Sequence, residues 1–297
     1  MRRFYKQKGS ASFGYNVYDS VPTSFMVFAD CNDGEFQGFV QRYHEIERRN
    51  YRNERLPAKH CANNIWLVKP AAENQGKGIA IFKNDLVGIK RFLASKAPNT
   101  HWIIQKYIER PLLYRDRKFD IRMWAVITWK RELYYYKHGY VRTSSDLYSL
   151  DNNIDSVHLT NNCLQKYKDK YGLFEEGNTL GLDVLEQYIA EQYPSFSINK
   201  HIMPRIKDLM IDSFLSVKNE VNPGDRRNCF ELLGFDFMID EDLRTWLIEI
   251  NTNPYLGVAN KFIEGLLPKM LNDLFMINLD PYVRNPNKAL HSGNVKE

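Results

Sequence analysis

The chain has 297 residues, a length that allows two or three fused subdomains with sizeable cores. Hydrophobic residues make up 43% of it, charged residues 26%, and the net charge is +5, which is the range of an ordinary soluble globular protein. Its four cysteines show no paired spacing and no run of about 18 apolar residues occurs, so a disulfide framework, a zinc site and a transmembrane helix are not predicted. Basic clusters suit an acidic partner, whereas no nucleic-acid module is recognised.

The apolar spacing predicts both helices and strands along the chain. A helix is expected near 35–52, followed by strands at 65–68 and 79–82 that flank a glycine loop, and by a helix at 85–96. Further strands are expected at 102–105, 119–129 and 133–137, and further helices at 180–193, 202–221 and 262–275. Strand pairs joined by hairpins, with helices laid on one side, favour an α+β fold over a doubly wound sheet.

The glycine loop is a candidate phosphate-binding element. Closely spaced glycines let backbone N–H groups approach phosphate oxygens, and Lys69 and Lys77 would offset the phosphate charge. A strand follows the loop, whereas a Walker loop or a dinucleotide-binding fold continues into a helix. The alternative is a plain hairpin with a flexible glycine turn.

The predicted strand around residue 120 has one charged face. Lys118, Asp120 and Arg122 alternate with apolar residues, so they point to the same side. That side would meet phosphates, or it is a ladder of cross-strand ion pairs. Upstream, an apolar strand ends in the polar pair Gln105 and Lys106, which suits an apolar slot for an adenine ring.

The segment 232–254 predicts a hairpin with acids on one face. A turn within 240–244 would bring Asp236 opposite Glu249, and strict alternation puts Leu247 and Asn251 on the face of Glu249, with Ile248 on the other. Two acids and an amide on one face repel unless a cation lies between them, and such hard oxygen ligands suit Mg²⁺ holding substrate phosphates. The alternative is a surface hairpin with a hydrated polar face.

Six segments in this order resemble the tubulin tyrosine ligase family of the ATP-grasp superfamily: Lys69 with 76–79, then 105–113, 118–122, 139–142, 158–161 and 235–251. Folds of this superfamily hold ATP between two α+β subdomains, with a glycine hairpin as a lid. The resemblance therefore implies a shortened N-terminal region at 1–60, a central subdomain with the lid at 61–115, a C-terminal subdomain with the Mg²⁺ hairpin at 116–280, and a tail at 281–297.

The resemblance also assigns site residues. It implies that ATP is bound by Lys69, Gly76, Lys77, Gly78, Ile79, Gln105, Lys106, Tyr107, Ile108, Lys118 and Asp120. It places Arg122, Arg142, His158, Thr160 and Asn161 at the γ-phosphate and the acyl phosphate. Asp236, Glu249 and Asn251 would bind Mg²⁺.

The implied activity is ATP-driven ligation of an amino acid to a carboxylate of the acidic tubulin tail, through an acyl phosphate. Glutamate is the favoured amino acid, on the segment 251–254, with glycine or tyrosine as alternatives. The other hypotheses are an ATP-grasp ligase for a non-tubulin carboxylate and a microtubule-binding protein without catalysis. The expected setting is a cytoplasmic monomer on the cytoskeleton, with the cilium or basal body as a further location and no membrane partner.

Overall fold

The first of two sheets carries the glycine loop. The structure, a computed structural model, describes residues 19–50, 63–73, 76–151 and 154–281. The first sheet has four antiparallel strands in the order β1-β4-β2-β3. These are β1 (Ser24–Phe28), β2 (Ile65–Pro70), β3 (Ala80–Lys83) and β4 (His101–Lys106). Two helices accompany it, α1 (Gly34–Asn50) and α2 (Leu86–Ala94).

The core of the first sheet is aromatic. Phe39 is fully buried and meets the ring of Trp66 edge to face, with centroids 5.0 Å apart. Helix α2 begins where the Asp85 side chain accepts a hydrogen bond from the Gly88 amide at 2.6 Å, a normal N-terminal cap. Because β1 pairs with β4 and α1 packs against β1, the predicted N-terminal region and central subdomain share this sheet. The domain boundaries themselves stay a prediction.

The second sheet has seven strands around a buried central one. Its path is β11-β10-β6-β8-β9, and β5 and β7 also pair with β6. The strands are β5 (Leu113–Tyr114), β6 (Arg117–Thr128), β7 (Leu133–Tyr135), β8 (Tyr140–Leu147), β9 (Thr179–Gly181), β10 (Phe230–Ile239) and β11 (Thr245–Asn251). Every residue of β6 is buried, so both faces of the sheet are covered there.

Helices cover the second sheet. They are the short α3 (Asp155–His158) and α4 (Asn162–Gln165), then α5 (Leu182–Gln192), α6 (Met203–Leu215) and α7 (Lys261–Asn278). A π-helical turn, Ile198–Ile202, leads into α6, and α7 packs on Trp124 at the opposite face. In the described part of the chain, no helix has the length and apolar character needed to cross a bilayer.

The α+β class is confirmed, and the differences from the predicted elements have local causes. Helix α6 stops at Leu215, short of the predicted 221, ahead of the turn-forming run Asn222-Pro223-Gly224. Strand β8 was not predicted because Arg142, Thr143, Ser144 and Ser145 break the apolar alternation. These polar side chains are nevertheless buried, so hydrogen bonding stabilises them there.

The predicted hairpin forms, but strict alternation along its second strand is wrong. Asp236 pairs with Glu249 as expected, whereas the next residue, Phe237, pairs with Leu247. This bulge leaves Ile248 as the extra residue, so that Ile248 and Glu249 both reach the cavity face while Leu247 packs in the core.

A buried aspartate fixes the turn of this hairpin. The Asp240 carboxylate accepts from the amides of Asp242 and Arg244 at 3.0 and 2.9 Å, and from Trp246 Nε1 at 2.8 Å. Burial, the largest influence, raises the pKa of Asp240. The side chain thus stabilises the turn from which the predicted metal ligands extend.

We expect Asp240→Ala to lower the free energy of unfolding by about 3 kcal/mol, because it leaves buried donors without their acceptor. Chemical denaturation measures this loss. Asp242→Ala, at an exposed carboxylate of the same turn, is the matched control and should change stability by less than about 0.5 kcal/mol. Equal effects of the two substitutions would contradict this role of Asp240.

Candidate active site

A cavity between the two sheets collects the predicted site residues. The first sheet contributes from β2, β4 and the glycine loop, and the second from β6, β8, β10 and β11. Every residue named from the sequence lines this cavity except Arg122 and Gly78. The individual roles of these residues stay predictions, but the side chains are brought to one place.

A buried charge network forms the floor of the cavity. Arg122 Nη2 donates to Asp236 Oδ2 at 3.0 Å, and Arg122 Nε binds Oδ1 of the same carboxylate. Arg142 Nη2 also lies 3.0 Å from Asp236 Oδ2, while its Nε donates to Asp120 Oδ1 at 2.9 Å. All four side chains are at most 10% exposed, so their charges depend on one another.

The strand register explains this network. Asp236 on β10 lies directly opposite Arg122 on β6, and Asp120 on β6 lies opposite Arg142 on β8. Directly opposed side chains of unlike charge attract across a sheet. Arg122 is therefore absent from the cavity lining because it lies beneath Asp236, where it holds that carboxylate.

The network keeps Asp236 ionised. Burial alone would raise the pKa of Asp236, but the Arg122 and Arg142 guanidinium groups outweigh it and hold that pKa well below its usual value. The repulsion expected between Asp236 and Glu249 is thus offset by arginine side chains, and a metal is not needed to explain it. Lys69 adds to this compensation, since its Nζ lies 3.4 Å from Glu249 Oε2.

The predicted metal ligands still converge. Asn251 Nδ2 lies 3.3 Å from Asp236 Oδ2 and 3.4 Å from Glu249 Oε1, so the three side chains touch. The described residues contain no cluster of three His, Cys, Asp or Glu side chains that could hold a metal, since the third member here is an amide. Two carboxylates and an amide oxygen fit a Mg²⁺ ion that takes its other ligands from substrate phosphates and water. The Asn251 amide, whose nitrogen faces both carboxylates here, would turn over to present its oxygen to that ion.

A second buried network holds Lys118. Its Nζ donates to Tyr107 Oη at 3.0 Å and to the His158 carbonyl at 2.8 Å, and Tyr107 Oη bonds His158 Nδ1 at 2.9 Å. The ammonium also lies 4.4 Å from the centre of the Tyr107 ring. Burial lowers the pKa of Lys118 to about 7, although the nearby Asp120 carboxylate opposes this shift.

The polar side chains of the predicted adenine segment bond to neighbouring parts of the protein. Gln105 Nε2 donates to Ser24 Oγ at 3.1 Å. Lys106 Nζ donates to the carbonyls of Ile65 and Tyr107 at 3.2 and 3.3 Å and pairs with the buried Glu109 carboxylate. The charge of Lys106 is therefore compensated inside the protein, which leaves the backbone and the apolar neighbours to form a slot.

The two glycines of the loop allow its backbone conformation. Gly76 and Gly78 have φ values of +75° and +72°, the left-handed region in which other residues are strained. A Cβ on Gly76 would lie 2.8 Å from the Leu164 side chain, so this turn approaches α4 closely. Gly78 is absent from the cavity lining and contributes backbone conformation there.

Sequence reasoning missed most of the apolar part of the lining and one acid. These residues are Pro22, Leu67, Pro70, Glu73, Leu159, Met238 and Ile248. Alternation with Asp236 would have found Met238. The bulge concealed Ile248, and Pro22 lies in a segment for which no strand was predicted.

Comparison with known proteins places the chain in a family. The model of the tubulin-tyrosine ligase family matches residues 19–287. The chain belongs to this family. Membership confirms the resemblance of the six ordered segments and, with the mixed sheets and helices, the predicted ATP-grasp class of fold.

Several longer relatives are similar to this chain. Tubulin glycylase 3B of Tetrahymena thermophila is 35% identical over 77% of the chain and 19% of the relative. Human protein monoglycylase TTLL8 is 29% identical over 91% of the chain and 35% of the relative. The probable alpha-tubulin polyglutamylase Ttll1 of Tetrahymena thermophila is 31% identical over 89% of the chain and 61% of the relative. The chain thus spans only part of the length of each.

The lowered pKa of Lys118 predicts proton uptake when a nucleotide binds. With a pKa of about 7 in the free protein, Lys118 is mostly neutral at pH 8, and phosphate charge would favour its ammonium form. Affinity for Mg²⁺·ATP should therefore fall as the pH rises through 7 to 8 and change little below pH 6. Calorimetry in buffers of different ionisation enthalpy measures the uptake.

Lys118→Gln is the control for this uptake. The variant should bind ATP more weakly and take up correspondingly less proton at pH 8. If the variant took up as many protons as the unsubstituted chain, another group would be responsible.

Proposed function

We propose that the chain contains the catalytic module of an ATP-dependent ligase that joins an amino acid to a carboxylate of the acidic tubulin tail. One observation carries this proposal: the cavity gathers the cations Lys69, Lys118 and Arg142 beside the oxygen ligands of Asp236, Glu249 and Asn251. Cations and acids in one cleft suit a metal-bound triphosphate better than a neutral ligand. Family membership and the tubulin-modifying relatives support the same reading.

The proposed reaction has two steps. A carboxylate is a poor electrophile, so the acceptor carboxylate first attacks the γ-phosphorus of ATP and releases ADP, giving an acyl phosphate. The amine of the incoming amino acid then attacks the acyl carbon, an amide bond forms, and phosphate leaves. No covalent enzyme nucleophile is needed, since positioning and electrostatic stabilisation provide the catalysis.

The charge network suits this chemistry. Arg142 lines the cavity with its guanidinium fixed by Asp120 and Asp236, so it meets the transferred phosphoryl group without reorganising. Arg122 acts beneath it by holding Asp236. Mg²⁺, when bound with ATP at Asp236, Glu249 and Asn251, would neutralise charge on the phosphates. Lys69 and Lys118 would bind phosphate oxygens.

The relatives indicate which donor amino acid to test first. Glutamate was predicted from the segment 251–254, but the relatives include tubulin glycylase 3B and a monoglycylase as well as a probable polyglutamylase. Glutamate therefore gains no specific support. Glycine is the first donor to test and glutamate the second, with the acidic tail as the acceptor in both cases.

The test incubates the chain with ATP, Mg²⁺, microtubules and each of glycine, glutamate and tyrosine, and weighs the tubulin tails by mass spectrometry. We expect a mass increase with one amino acid only, and ADP release in step with it. Glu249→Gln should lower the rate at least about 100-fold, because it removes a carboxylate that faces the metal-bound phosphates. Glu264→Gln, at an exposed position of α7, is the matched control and should leave the rate unchanged.

The outcomes separate the remaining hypotheses. ADP release with another carboxylate and none with tubulin would support a ligase for a different acceptor. Mg²⁺-dependent ATP binding without turnover on any acceptor would contradict catalysis and leave a microtubule-binding protein. An unchanged rate in Glu249→Gln would contradict the assigned metal site.

A further inference from the structure

Five large apolar side chains are exposed beside the cavity, on two segments of the chain. Tyr167, Leu173 and Phe174 belong to the segment after α4, and Tyr255 and Val258 to the segment before α7; all five are 50% exposed or more. We call these five residues the apolar rim. A contiguous exposed apolar patch is unusual on a soluble surface and typically marks an interaction site.

The two segments of the rim are in contact. Asn260 Nδ2 donates to the carbonyls of Glu176 and Thr179 at 2.7 and 3.1 Å, which connects the second segment to the first. A Cβ on Gly177 would lie 2.5 Å from the Ala259 carbonyl oxygen, so the backbones are closely packed. The pKa of Lys166 is raised chiefly by Tyr167, with a smaller contribution from Tyr255. Residues of both segments therefore share one surface.

Buried polar groups hold the first segment in place. Glu175 accepts from both terminal nitrogens of the buried Arg117, at 2.7 and 2.5 Å. The fully buried Gln165 accepts from the Ser145 amide at 2.8 Å. Asn178 donates to the Thr143 carbonyl at 3.1 Å and to Ser145 Oγ at 2.9 Å. Tyr167, Leu173 and Phe174 thus project from an ordered loop, which lowers the entropy lost when a partner binds.

Both segments of the rim follow elements that begin or end at the cavity. Asn161 is the N-cap residue of α4, the helix that precedes the first segment, and Asn251 ends β11, the strand that precedes the second; both line the cavity. A peptide that lies across the rim can therefore extend towards these two cavity residues. Three of the five rim residues are aromatic, and exposed aromatic rings are common anchors of binding energy.

The charge beside Tyr167, at one end of the rim, favours an acidic occupant. Lys166, Lys168 and Lys170 occur within five positions, against the single acid Asp169. Lys170 is paired with Asp146 at 3.0 Å, whereas the Lys166 ammonium lies exposed over the Tyr167 ring, 4.9 Å from its centre. An acidic peptide would gain this ammonium and the phenol hydroxyls as partners for its carboxylates.

We propose that the apolar rim is the docking surface for the acidic acceptor peptide, which lies across Tyr167 and Tyr255 on its way into the cavity. This inference rests on the proposed ligase function and adds to it a surface outside the nucleotide site. Rim residues should accordingly change the affinity for the acceptor and leave the affinity for ATP unaltered.

The test uses the whole chain and a fluorescein-labelled peptide with a run of glutamates, followed by fluorescence anisotropy at low ionic strength. The double variant Tyr167→Ala/Tyr255→Ala should weaken peptide binding about tenfold, since two exposed aromatic anchors are lost. Tyr135→Ala, at an exposed tyrosine of β7, is the matched control and should bind the peptide as the unsubstituted chain does. Calorimetry with Mg²⁺·ATP should give equal affinities for all three proteins.

Three results would overturn the inference: no binding of the glutamate peptide, equal binding in the double variant, or equal binding of a peptide with glutamine in place of glutamate. Equal binding of the glutamine peptide would show that the rim binds a peptide without recognising its carboxylates. Tubulin modification is measured separately in the same proteins. Modification with an unchanged acceptor KM in the double variant would refute the docking surface and leave the proposed ligase standing. If none of the proteins modified tubulin although the peptide bound as predicted, the proposed ligase would be refuted and the docking surface would stand.

Discussion

The buried pairing of Arg122 and Arg142 with Asp236 and Asp120 joins three of the strands that carry the candidate site. It connects β10 to β6 and β6 to β8, in directly opposed positions of the sheet. Removing one partner would leave an uncompensated buried charge, which typically costs about 3–5 kcal/mol. Complete, the network presents an ionised Asp236 and an oriented Arg142 to the cavity, so the same contacts that stabilise the sheet prepare its surface for a charged ligand.

The two sheets contribute different groups to the cavity. The second sheet contributes fixed charges on paired strands, whereas the first contributes an apolar slot, Lys69 and a glycine turn in which the left-handed Gly76 lies close to α4. Lys118 lies between them, with its ammonium shared by Tyr107 and the backbone of His158. Burial in that position lowers the pKa of Lys118. The positive charge of the cavity therefore changes with pH near neutrality.

Much of this arrangement was predictable because alternation along a strand determines which side chains share a face. The charged face of Lys118, Asp120 and Arg122 and the pairing of Asp236 with Glu249 followed from it. Three features did not follow. The bulge at Ile248 shifts the register by one residue, which alternation alone cannot foresee, and the polar strand β8 has no apolar signal. That Arg122 and Arg142 neutralise Asp236 depends on contacts between strands distant in sequence, so the sequence suggested a metal as the sole compensating charge.

Crystals of the chain grown with a non-hydrolysable ATP analogue and Mn²⁺ would examine the site directly, since the anomalous signal of manganese locates the metal independently of the nucleotide. We expect a peak bonded to Asp236 and Glu249, with the phosphates between it and the ammonium groups of Lys69 and Lys118. A nucleotide bound outside the cavity, or a nucleotide in the cavity without metal at this hairpin, would contradict the account of the charge network as the floor of an ATP site.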